Sequence, residues 1–155
     1  MDKKITYSKI ATITLVVLRL VVGYHFLYEG VAKLLMPNWS AAPFLLQANW
    51  LFSDFFHYIA SNQALLSVVN IINIWGQIFI GISLLVGLFS SVAALFAAIL
   101  LLNYYIAVPP FMKGTIFVDR NLLEFFLFVI VVLFPTSNRI GLDFLIAKYR
   151  NSNNG

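Results

Sequence analysis

Apolar residues fall along this chain in four long blocks rather than in short alternating stretches. The blocks run from Ile10 to Met36, Leu65 to Phe89, Ser91 to Val108 and Ile116 to Phe134. As helices, each is about long enough to cross the roughly 30 Å hydrocarbon layer of a bilayer. Pro37 closes the first block, Pro109 and Pro110 the third and Pro135 the fourth, because proline lacks an amide donor and clashes with the preceding turn. Phe89-Ser90-Ser91 leaves almost no linker between the second and third blocks, which predicts a tight antiparallel hairpin. The pattern predicts an all-α fold: a polytopic membrane protein built as an up-down-up-down four-helix transmembrane bundle. It forms one membrane domain over residues 1–145, followed by a tail over 146–155 in which NSNNG reads as disordered. The start MDKK ahead of an apolar run resembles a signal peptide, but the run is too long and no small-residue cleavage site follows, so the first helix is expected to remain.

Between the first two blocks, PFLLQANWLFSDFFHYIA (Pro43 to Ala60) is rich in large apolar and aromatic side chains. It predicts an amphipathic helix in the outer interface with its aromatics at headgroup depth. A lid that only packs on the bundle and a gate for substrate fit this stretch equally well.

Composition fixes the solvent. Of 155 residues, 61% are hydrophobic and only 10% charged, and the mean hydropathy is +0.91, which leaves too little polar surface to coat a soluble globule. The lipid bilayer is therefore the first partner. The net charge of +4 does not point to nucleic acid, because no basic residue falls between Lys33 and Lys113 and no basic stripe forms. The charge reads as topology instead. Lys3, Lys4 and Lys9 precede the first block, Arg139, Lys148 and Arg150 follow the last, and residues 37–64 carry no Lys or Arg. By the positive-inside rule both termini are expected to be cytoplasmic and the loop containing Lys113 and Asp119 external. Cysteine is absent, which excludes disulfides, thiolate metal sites and a CxxC relay.

The polar side chains inside the blocks concentrate at one depth. His25, Glu29 and Lys33 are spaced i, i+4 on one helix face; Asn70, Asn73 and Gln77 share a face of the second helix; Asn103 lies near the end of the third; Arg120, Asn121 and Glu124 open the fourth. All belong to the outer half, where they are expected to turn toward one another, since an ionisable group in hydrocarbon is costly unless paired or hydrated. The candidate site is thus a polar chamber with Glu29, Glu124 and His25 as proton-handling groups. Lys33, Arg120, Asn121, Asn70, Asn73, Asn103 and Gln77 are its binding groups. Local pairing of Glu29 with Lys33 and of Arg120 with Glu124 for packing alone is the competing reading. Arg19 stands apart, about ten residues deeper; Gln77, carbonyls near Ser83 or Ser90, and lipid phosphate are all within its reach, and we count it among the candidate binding residues. Ala93, Ala94, Ala97 and Ala98 offer a small-residue face for close helix packing, within the bundle or in a homo-oligomer. The sequence holds no metal-ligand, haem, flavin or dinucleotide motif.

Arg19, Gly23, Phe26, Gly30 and Lys33 in RLVVGYHFLYEGVAKL resemble the first-helix signature of the DoxX and DoxD membrane proteins, and VDRNLLEFF resembles their last-helix segment. The resemblance covers roughly Ile10 to Pro135. It implies quinone-linked redox chemistry, since the family includes the small membrane subunit of thiosulfate:quinone oxidoreductase, and it implies a partner redox subunit for some members. Three functions stand open: a quinone-dependent oxidoreductase or its subunit, a non-catalytic anchor or assembly subunit of an envelope complex, and a small-solute carrier. The last fits least, because few polar groups lie below the outer cluster.

Overall fold

The computed structural model describes residues 8–114 and 117–153. Lys3, Lys4, Asn154 and Gly155 lie outside the described residues, as do Ile116, the expected start of the fourth block, and the side chain of Lys113. The described chain is helical, with no strand among those residues. It comprises α1 (Lys9–Leu35), α2 (Ala42–Leu45), α3 (Ser53–Ser61), α4 (Gln63–Val86), α5 (Ser90–Ala107), a 3-10 turn (Pro110–Lys113), α6 (Arg120–Leu133) and α7 (Leu142–Asn153).

Three stretches are long and apolar enough to cross a membrane: Lys9–Leu35, Gln63–Val86 and Ser90–Met112. The fourth differs from expectation. α6 has 14 residues, about 21 Å at 1.5 Å per residue and short of the hydrocarbon thickness. Its start is set by Asp119, whose carboxylate accepts from the Leu122 amide at 2.9 Å. This N-cap, rather than the apolar run, decides where the helix begins.

α1 pairs with α4, and α5 with α6. The α1–α4 pair crosses at glycine. A Cβ on Gly81 would sit 2.5 Å from the Leu27 amide nitrogen, and one on Gly23 would sit 2.8 Å from Leu84 Cβ. Ala93, Ala94, Ala97 and Ala98 are all buried in a core shared with Phe26, Leu84, Leu101, Phe128 and Val131. Small residues thus bring backbones together where lipid supplies no hydrophobic drive.

The stretch expected to form one interfacial helix is instead broken. α2 and α3 are separated by a turn whose last residue, Phe52, has φ 63°, a left-handed conformation that ends any continuous helix. The pieces build a second small core of Ala41, Leu45, Ala48, Phe56, Leu66 and Ala107 over the ends of α4 and α5. We call residues 37–61 the roof, this end of the bundle the chamber end, and the opposite one the terminal end.

At the terminal end α4 stops at Gly87, φ 69°, and α5 follows at once as the expected hairpin. The residues expected to be a disordered tail contribute Asn151–Asn153 to the last turn of α7.

Candidate functional site

The i, i+4 spacing on α1 points His25, Glu29 and Lys33 along one side of that helix, and the neighbouring helices meet them there. A cavity of about 460 Å³ opens at the chamber end, lined by Glu29 and Lys33, Asn73 of α4, Tyr104 of α5, Arg120 and Asn121 of α6, and Trp39 and Phe44 of the roof. A second cavity of about 50 Å³ shares Glu29, Lys33, Tyr104, Arg120 and Asn121, and adds Gln77, His25 and Glu124. The small cavity therefore continues the large one inward, with room for ordered water among several polar partners.

Lys33 does not pair with Glu29 by hydrogen bond. Its Nζ donates to Gln77 Oε1 at 2.6 Å and to Asn73 Oδ1 at 3.1 Å, and lies 5.4 Å from the ring centre of Trp39. Asn73, buried at 6% exposure, is used on both sides: its Nδ2 donates to the Tyr104 hydroxyl. Glu29 is half-buried and lies within electrostatic reach of Lys33, but accepts no hydrogen bond among the described residues. Glu124 Oε1 lies 3.3 Å from His25 Nε2 and 3.6 Å from Arg120 Nε. The second is the i, i+4 pair expected from sequence, and with the Arg120 side chain 70% exposed it contributes little to stability. Asn121 Nδ2 donates to the capping carboxylate of Asp119 at 2.9 Å, which holds Asn121 at the mouth.

The remaining sequence candidates lie elsewhere. Asn70 Oδ1 accepts from the Ala41 amide at 2.8 Å and so pins the roof rather than lining the cavity. Asn103 is exposed, with its Nδ2 turned back to the Ile99 carbonyl at 2.8 Å. It lines a separate apolar groove with Ile72 and Phe96. One residue along a helix is a turn of roughly 100°, and Tyr104, not Asn103, faces the chamber. Arg19 is at the terminal end, 2% exposed. Its Nη1 donates to the Ile140 carbonyl at 2.9 Å and to Thr136 Oγ1 at 3.2 Å, and both its Nη atoms lie 3.2 Å from where a Cβ on Gly87 would be. It ties α1 to the α4–α5 turn and the α6–α7 linker. Tyr104 and Trp39 were not among the sequence candidates; Phe44 belongs to the aromatic stretch expected to form a lid or a gate, and its ring centre lies 5.3 Å from that of Tyr104. The buried positions Ala94, Ala97, Leu101 and Tyr105 mark the inward stripe of α5, and Asn103 lies off it.

Beneath the cavities, Phe26 and Phe128 pack edge to face with ring centres 4.6 Å apart, and both are 1% exposed. The floor is apolar and closed.

A DoxX profile matches residues 14–110. The chain belongs to the DoxX family. Neither a curated protein nor a solved structure matches it. The DoxX match takes in α1 from residue 14 onward, the roof, α4 and α5, and so covers every chamber residue except those of α6. Family and helix lengths together make this a multi-pass membrane protein.

Proposed function

We propose that this DoxX protein binds a quinone head group in its chamber and supplies the protons for its reduction. The observation that carries the reading is the way Asn73 orients two donors on one cavity wall. An ammonium group has three N–H donors. Two from Lys33 are taken by Asn73 and Gln77, which leaves a third for a ligand oxygen. The Tyr104 hydroxyl accepts from Asn73, so its own proton is free to donate. Converging donors of this kind suit a carbonyl oxygen that gains negative charge, and about 460 Å³ is within the usual range for a small-molecule site.

A bound quinone contributes the redox chemistry, accepting two electrons and two protons. The chain's own part is to hold the ring oxygen on Lys33 and Tyr104 and to hold protons at Glu124, His25 and Glu29, one contact away along the small cavity. Arg120 and Lys33 make the mouth attractive to a small anionic reductant, the class of electron donor that needs no carrier in this chain; a partner redox subunit is the other source. In this reading the chamber end faces outward from a bacterial cytoplasmic membrane and both termini are cytoplasmic. α6 with its flanking residues completes a fourth span, and the roof lies in the outer interface.

Native mass spectrometry of protein extracted gently from its own membrane tests this. A quinone-mass adduct is expected, reduced at least about tenfold in the Lys33→Met/Tyr104→Phe double variant by loss of two hydrogen bonds near 1 kcal/mol each. Glu124→Gln is expected to keep the adduct and slow quinol formation. An adduct indifferent to the double variant would sink the assignment, as would quinone reduction unchanged in both Glu29→Gln and Glu124→Gln.

A second reading, a non-catalytic subunit anchoring a redox complex, is favoured by the roof's outward surface, where Trp50, Leu51, Phe52, Phe55 and Tyr58 are exposed. Stoichiometric recovery with another protein and no small-molecule adduct would select it.

A further inference from the structure

α7 is not needed by the chamber, yet its sequence is patterned and its first turn is firmly placed. The Asp143 amide donates to the Gly87 carbonyl at 3.0 Å, and the Asp143 carboxylate accepts from the Phe89 amide at 3.1 Å. The Phe144 amide donates to the Ser137 carbonyl at 3.2 Å. These bonds fix the start of α7 against the turn joining two membrane-crossing helices, α4 and α5, which is the depth of a bilayer surface.

From there Leu142, Leu145, Ile146 and Tyr149 follow the i, i+3, i+4, i+7 spacing of one helix face. All four are uncovered, at 40%, 56%, 56% and 71% exposure. Lys148 and Arg150 are exposed too. At roughly 100° per residue they fall on opposite flanks of that stripe, each about a quarter turn from its centre. Asn151 lies on the far side, as does Phe144 of the first turn, 41% exposed and tied through its amide to the linker. An apolar stripe bordered by long cationic side chains fits the boundary between acyl chains and anionic headgroups, where such side chains lay their methylenes on the apolar layer and reach phosphate with their charge.

We infer that α7 lies along the bilayer surface at the terminal end, its apolar stripe in the acyl boundary and Lys148 and Arg150 on anionic phospholipid headgroups. The charge decides this occupant: a second copy of the helix would bring like charges to both edges of the contact, whereas an anionic leaflet neutralises them.

The chain has no cysteine, so one introduced thiol carries one label. Nitroxide at Ile146→Cys and, separately, at Asn151→Cys would be compared in the full chain, in nanodiscs of phosphatidylcholine with and without phosphatidylglycerol. With the anionic lipid, oxygen dissolved in lipid is expected to relax the 146 label and a water-soluble nickel chelate the 151 label. Omitting phosphatidylglycerol, or substituting Lys148→Gln with Arg150→Gln, is expected to raise the detached fraction of α7 about fivefold per basic residue lost. Equal exposure of both labels to the nickel chelate would overturn the inference. So would a 146 label shielded from both reagents, which means a protein covers the stripe, or immersion indifferent to lipid charge and to both substitutions.

Discussion

Asn73 shows what a single carboxamide does in a low-dielectric site: one end accepts from a cation and the other donates to a phenol, so two cavity-lining donors depend on one side chain. Asn73→Ala is expected to cost about 1–3 kcal/mol, read as a lower midpoint in thermal unfolding of the detergent-solubilised protein, and to weaken ligand retention by Lys33 and Tyr104 together. Arg19→Met belongs to a different part of the molecule. It strips the donor from two acceptors, Thr136 Oγ1 and the Ile140 carbonyl, at about 1–3 kcal/mol for each group left bare. The expected outcome is a destabilised bundle whose chamber still binds. A quinone adduct lost in Arg19→Met at a temperature where the fold persists would contradict this division. Most chamber residues were legible in the sequence because charge in hydrocarbon must find partners; His25, Glu29, Lys33, Asn73, Gln77, Arg120, Asn121 and Glu124 do gather. Tyr104 was not, since an aromatic near a helix end reads as an interface anchor. Arg19 was not, because its partners are a loop carbonyl and a threonine with no sequence signal of their own.

Among the helices, the α1–α4 crossing is the least forgiving contact. Gly81→Ala would place a methyl 2.5 Å from the Leu27 backbone, and overpacking of this kind costs about 1–3 kcal/mol or more. Gly76 is five residues, about 1.4 turns, away on the same helix, with nothing within 4 Å of its would-be Cβ. Gly76→Ala is expected instead to stabilise by about 0.5–1 kcal/mol through backbone entropy. Unfolding the two variants side by side separates packing from propensity; equal shifts of the same sign would refute the proposed closeness of the crossing. Helix existence was readable from the apolar blocks, because long runs, prolines and the Phe89-Ser90-Ser91 turn act locally. The start of α6 and the break between α2 and α3 were not, since one depends on an Asp119 cap and the other on a left-handed backbone at Phe52, a conformation its residue type does not signal.

Taken whole, the molecule is polar at one end, dry in the middle and tied by hydrogen bonds at the other. Val22, Phe26, Leu84, Leu101, Phe128 and Val131 fill the middle, each at most 4% exposed. Proteoliposomes containing the protein are therefore expected to leak small anions and protons no faster than empty vesicles, as measured with an entrapped fluorescent indicator. Flux that depends on Lys33 or Arg120 would instead make the chamber the vestibule of a path. The same dry layer governs how the chamber meets a membrane voltage. In a bilayer the electric field falls mainly where water and mobile charge are excluded, and moving a full charge across it is worth roughly 2.3 kcal/mol per 100 mV. Here that drop lies across the phenylalanine floor and the alanine-packed core beneath the chamber. If the chamber takes a ligand from the open end, as proposed, that ligand would cross little of the field, and its binding is expected to be insensitive to an imposed membrane voltage.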